Sequence, residues 1–98
     1  TVHQWLSYEK EFADVIDYVG CGPVFETLTK PDAKKPFGLD TLAHLCQSSQ
    51  TPVVAIGGIG VDNVNSVWRA GPAAIAVSSA IWNAESVKQA AQTLGQWP

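Results

Sequence analysis

The sequence has 98 residues, 46% apolar and 15% charged, enough for one cored domain and too short for two. Its net charge is −3 and its longest basic run is Lys34-Lys35, which argues against nucleic acid or an anionic membrane as partner. No apolar run approaches the ~20 residues of a membrane span, and no signal-peptide layout opens the chain, so the cytoplasm is the expected compartment.

Taken in chain order, the first expected helix lies near residues 7 to 14, with Ser7 as its cap and Glu9 and Glu11 in its first turn. VIDYVGCG (15–22) reads as a buried strand with a glycine exit. LDTLAHLC (39–46) places Leu39, Leu42, Ala43 and Cys46 on one helical stripe. PVVAIGG (52–58) is β-branched without alternation, the pattern of a parallel strand covered on both faces. VDNVNSVWRAG (61–71) returns to helical period through Val61, Val64, Val67 and Trp68, with Gly71 as its stop. AAIAVSSAI (73–81) is a third buried strand, and Val87, Ala90, Ala91 and Leu94 stripe a last helix.

Strands alternating with helices in this order predict an α/β fold of parallel βα units. Three strands leave two apolar edges open. An eight-stranded (β/α) barrel needs ~200 or more residues, about twice this length, so residues 1–98 read as a single half-barrel segment. The chain has no methionine and begins with Thr1, which points to a fragment or a processed product. Cys21 and Cys46 form no CxxC pair and have no His at metal-ligand spacing, so both are expected reduced and buried.

In a parallel α/β sheet the loops after the strand C-termini share one ligand-binding side. Here these are Pro23 to Pro36, Gly57 to Val61, and Ser78 to Ala84. The Gly58-Ile59-Gly60-Val61-Asp62-Asn63 stretch lacks the third glycine of a dinucleotide fingerprint, and no Walker Lys-Ser/Thr follows. It is either a tight βα corner or a bare run of N–H groups open to an anion. Ser78 and Ser79, one βα unit later, are either plain cap residues or the other wall of a phosphate site. (β/α)8 barrels commonly build such a site between the loops after their last two strands and a short extra helix, and that layout favours the phosphate. The long first loop carries Thr27, Thr29 and Lys30, which suit an anion, or it is a solvated lid; Glu26, Asp32, Lys34 and Lys35 read as solvent charges. His44 is expected at the surface, and the tryptophans Trp5, Trp68, Trp82 and Trp97 in packing or cover. No Ser-His-Asp order, catalytic carboxylate pair or HExxH appears.

GPVFETLTK, GLDTLAHL, PVVAIGGI with Asn63 following, and AGPAAIAVSSAI together resemble the C-terminal half of the thiamine-phosphate synthase family, whose members are (β/α)8 barrels. The resemblance runs along nearly the whole chain with four motifs in order. It implies joining of hydroxymethylpyrimidine diphosphate to thiazole phosphate with magnesium and release of pyrophosphate. Thr27, Thr29, Gly58, Ser78 and Ser79 would contact the thiazole phosphate. Lys30 would bind the pyrimidine diphosphate and stabilise the departing pyrophosphate. Thr1 stands where the family has the Ser of an S-x-H segment, another diphosphate contact, with His3 as its His.

The family is thought to ionise the pyrimidine substrate to a carbocation that the thiazole nitrogen captures, which asks for leaving-group stabilisation and positioning rather than a base. The resemblance places the magnesium-binding aspartates in the N-terminal half, so this chain alone is expected to hold no metal and to be inactive. A second chain or an N-terminal half would then complete the barrel. Pro72-Ala73-Ala74 departs from the family's usual Ala-Asp-Gly. The related thiazole tautomerase has a His at the position of Pro23, so Pro23 argues against that enzyme. A non-catalytic half-barrel that binds a phosphorylated ligand remains the other alternative.

Overall fold

A computed structural model describes residues 2–25 and 36–95, apart from the side chains of Ala13 and Ser79. Helix α1 spans Val2–Phe12. Ser7 therefore lies inside it and caps nothing, a departure from the sequence reading. The inward stripe that decides the matter begins earlier: Val2 and Trp5 pack on the core, and Glu9 is buried one turn further on. A 3₁₀ turn, Ala13–Val15, leads to strand β1, which is only Val19–Cys21. Val15 is 76% exposed, so the start of VIDYVGCG is not strand. Pairing begins where Val19 meets Val53 and its N–H reaches the Pro52 carbonyl, and residues upstream find no ladder.

Helix α2 (Gly38–Ser48), strand β2 (Val53–Ile56), helix α3 (Val64–Ala70), strand β3 (Ala74–Ala76), a short helix α4 (Ser79–Trp82) and helix α5 (Val87–Leu94) follow. The three strands form one parallel sheet in the order β1-β2-β3. Helix α2 contributes Leu42 and Leu45 to the core, and α3 contributes Val64, Val67 and Trp68. Fully burying side chains of this size contributes about 1.5–3 kcal/mol each. Val61 lies outside α3 and is exposed, contrary to the expected stripe. Gly71 ends α3 at φ 100°, a left-handed cap whose N–H reaches the Trp68 carbonyl. The Ser86 side chain caps α5 through the Gln89 N–H at 3.2 Å, and the buried Trp68 indole donates to the Leu94 carbonyl at 2.9 Å, tying α3 to α5.

Register sorts the sheet into two faces. Val19, Cys21, Val53, Ala55 and Ile75 lie on the face packed against the helices. Gly20, Val54, Ile56, Ala74 and Ala76 lie on the other, and Ile56 there is 42% exposed. The expected cover on both faces of β2 is therefore absent from the described residues, because all the helices packed on the sheet core stand on one side. Both cysteines are free thiols, with Cys21 buried and Cys46 half-buried. Burial raises both thiol pKa values, and the neighbouring Cys46 adds to the rise at Cys21.

Candidate functional site

Cys21, Ile56 and Ala76 end their strands on one rim, so the three loops predicted to meet do share a side. The two readings of the glycine turn divide between adjacent residues. Gly57 (φ 102°) is the tight corner: a Cβ there would sit 2.6 Å from Pro23 Cα. Gly22 makes the reciprocal approach, since its Cβ would overlap the Ile56 carbonyl oxygen. Gly58 (φ 69°) is instead exposed, and among the described residues nothing accepts from its N–H.

Asn63 holds this turn open. Its Oδ1 accepts from the Gly60 N–H at 2.9 Å, and its Nδ2 donates to the Gly58 carbonyl at 3.0 Å. The Asn63 and Val64 N–H groups both reach the Gly60 carbonyl, at 3.1 and 2.9 Å, which starts α3. Asn63 is thus the N-cap position of α3, yet its side chain points back into the glycine turn rather than capping the helix. Sequence reasoning quoted Asn63 without giving it a task. The available signal was an Asn three residues beyond a glycine, the spacing of local side-chain to backbone bonding.

The next loop stands beside the turn, because a Cβ on Gly60 would lie 3.9 Å from Ala80 Cβ. The Ser78 carbonyl accepts from the Ile81 and Trp82 N–H groups at 3.0 Å, which organises α4. Ser78 is exposed and its hydroxyl has no partner among the described residues. Ser79 opens α4 with its backbone.

The first loop is anchored at the same place. Val24 N–H reaches the Ile56 carbonyl at 2.9 Å and Phe25 N–H the Gly57 carbonyl at 3.2 Å. Its far end returns through Phe37 N–H to the Pro23 carbonyl (2.8 Å) and Gly38 N–H to the Val24 carbonyl (2.9 Å). Both described ends of the segment carrying Thr27, Thr29 and Lys30 therefore sit against the glycine corner. Those three residues, Thr1, and Glu26, Asp32, Lys34 and Lys35 lie outside the described residues, as does Trp97.

His44 is exposed, as its place off the helical stripe predicts, and His3 is an exposed residue of the first turn of α1. Trp68 is buried and Trp5 half-buried, but Trp82 is 78% exposed and packs on little. Among the described residues, no three His, Cys, Asp or Glu side chains come together as a metal site would need, and no helix is long and apolar enough to cross a membrane.

The thiamine monophosphate synthase family model matches residues 1–81. A thiamine-phosphate synthase of Latilactobacillus sakei is 51% identical over 96 residues, covering 98% of this chain and 42% of its own length. Among solved structures, thiamine phosphate pyrophosphorylase from Pyrococcus furiosus superposes with a TM-score of 0.75 at 41% identity, over 91% of this chain and 42% of that one. A 3-hexulose-6-phosphate synthase, at 22% identity and TM-score 0.60, shares the fold, and it too is covered over 42% of its length. The chain thus spans less than half the length of the relatives it matches, with the parallel βα architecture of a TIM-barrel-like protein. It is a member of the thiamine monophosphate synthase family.

Proposed function

We propose that residues 1–98 supply the phosphate-binding C-terminal half of a thiamine-phosphate synthase barrel. The reaction would join hydroxymethylpyrimidine diphosphate to thiazole phosphate and release pyrophosphate. The observation that carries this reading is the exposed Gly58 amide, held open by Asn63 at a helix start and flanked by Ser78. A phosphate there would accept the Gly58 N–H and the Ser78 hydroxyl, with Ser79, Thr27 and Thr29 completing its ligands. Lys30 would hold the diphosphate and stabilise the leaving pyrophosphate, and Thr1 would contact the same group. Positioning of two reactants accounts for the rest of the catalysis, and no described side chain needs to act as a base.

Magnesium belongs to the same reading as a diphosphate counter-ion. The family resemblance puts its carboxylate ligands in the N-terminal half of the barrel, outside residues 1–98. Pro23 stands where the tautomerase has its His, which leaves that proton transfer without an imidazole and favours the synthase.

The test is a chimera in which residues 1–98 replace the matched segment of the Latilactobacillus sakei synthase. Given both substrates and magnesium, it should form thiamine phosphate and pyrophosphate. A folded chimera that binds neither substrate would overturn the proposal. The isolated chain should show no turnover.

A further inference from the structure

We propose that Trp82 covers the phosphate bound at this rim, its indole N–H donating to a phosphate oxygen and its ring excluding water. The inference rests on the phosphate reading of Gly58 and Ser78 and adds a residue to it. Trp82 has the highest exposure of the large apolar side chains among the described residues, at 78%. Single exposed apolar residues are ordinary, so exposure alone assigns it nothing. Its place on the rim does. Helix α4 is one turn long, Ser79–Trp82, and the Ser78 carbonyl accepts from the Ile81 and Trp82 N–H groups at 3.0 Å. Trp82 therefore stands one turn beyond Ser78, about 40° from it around the helix and about 160° from Ala80. Ala80 and Ile81 form the inward face: both are half-buried and pack on the core, and Ala80 neighbours Gly60 of the glycine turn. Side chains on a helix lean toward its N-terminus, which sets the indole over the turn that begins at Ser78.

The chemistry of the rim gives this indole a task. Residues 57–61 and 77–84 carry no charged side chain, so a phosphate between these two loops meets neutral donors from them, the Gly58 N–H and the Ser78 hydroxyl. Hydrogen bonds to an anion are strong only where water does not compete for the same oxygens. On the outward face of α4, Trp82 is the one large side chain available to displace that water. Its indole N–H has no partner among the described residues, and an indole nitrogen only donates. A donor that cannot accept suits a phosphate dianion, which can only accept.

The experiment uses the chimeric barrel described above, with Trp82→Phe and Trp82→Ala. Circular dichroism checks folding, which substitution at an exposed position should not disturb. In titration calorimetry with thiazole phosphate, Trp82→Phe keeps a ring, loses the donor and should bind about tenfold more weakly. Trp82→Ala loses the cover as well and should bind more weakly still. Inorganic phosphate, used as a competitor, should lose affinity in the same order, because the contact is with the phosphate group. Affinity for the pyrimidine diphosphate should stay unchanged in both variants. Wild-type thiazole-phosphate affinity in Trp82→Phe overturns the proposal, as does an equal loss for both substrates, which would mark a structural role. A chimera with Trp82 intact that binds the pyrimidine diphosphate but no thiazole phosphate overturns the phosphate reading itself, and this inference with it.

Discussion

Ser49 donates its hydroxyl hydrogen to the carboxylate of Glu9, joining helix α1 to the loop between α2 and β2. The same carboxylate accepts the Gln50 and Thr51 N–H groups at 3.1 and 3.2 Å, and the Trp5 indole donates to Ser49 Oγ at 3.3 Å. At 6% exposure, Glu9 is the one charged side chain buried among the described residues. Burial pushes its carboxyl pKa up, but the hydrogen bonds from Ser49, Thr51 and Gln50 together outweigh that and leave it below the ordinary value. A carboxyl depressed in this way contributes stability that is fully present above its ordinary value of 4.5 and is lost as pH falls through the folded value. Urea unfolding should therefore show stability falling on acidification below that point. Glu9→Gln should flatten this dependence and lower stability at pH 7 by about 1–3 kcal/mol. An unchanged urea midpoint at both pH values would contradict the assignment.

Gly57→Ala separates packing from backbone strain. Its Cβ would meet Pro23 Cα at 2.6 Å and its φ is 102°, so the substitution faces both penalties. Gly38, at φ 81°, has nothing within 4 Å of its Cβ and faces strain alone. Gly38→Ala should cost about 1 kcal/mol and Gly57→Ala more than about 2 kcal/mol. Equal losses in chemical denaturation would mean that the approach of the two strand ends is not tight.

Asn63 is expected to shape the anion site through the backbone. In an intact barrel Asn63→Ala should weaken phosphate-ligand binding by loosening the Gly58–Gly60 turn. Asn63→Asp keeps an acceptor for the Gly60 N–H, loses the donor to the Gly58 carbonyl, and brings negative charge toward the bound phosphate. It should be the worse of the two by titration calorimetry, about tenfold or more from a single unfavourable charge at short range. Tighter binding by the Asp variant would remove the anion from this turn.

Trp68→Phe tests the tether to the last helix. It keeps one aromatic ring, and it removes both the donor to the Leu94 carbonyl and part of the indole's buried volume. The loss should be about 1–2 kcal/mol, with amide exchange accelerated across Val87–Leu94 before the rest of the chain. Uniform exchange throughout would show that α5 is not held at this point.

The element order, the parallel sheet and the three loops on one rim were legible in the sequence because period and chain order carry them. The edges of elements were not. The sequence pattern overextends β1 because apolar residues of VIDYVGCG run on both sides of Asp17, while pairing is set by where β2 begins after Pro52. Helix α1 was placed late because Ser7 looks like a cap, whereas the buried face runs from Val2 through Trp5 to Glu9. Glu9 itself drew no attention as a partner, since the groups that satisfy it lie some forty residues away in sequence. In the site, Gly58 and Ser78 were legible as glycine turn and small-residue turn. The division of labour between Gly57 and Gly58 was not, because it depends on Pro23 pressing against one of them and not the other.

The central claim is that the Gly58 amide holds the thiazole phosphate. The direct measurement is calorimetry on the chimeric barrel with and without Gly58→Val, titrated separately with thiazole phosphate and with the pyrimidine diphosphate. The account predicts loss of thiazole-phosphate binding while diphosphate binding stays largely in place, which also shows that the barrel is folded despite the strain of a side chain at φ 69°. Undiminished thiazole-phosphate affinity in the Val variant would contradict it.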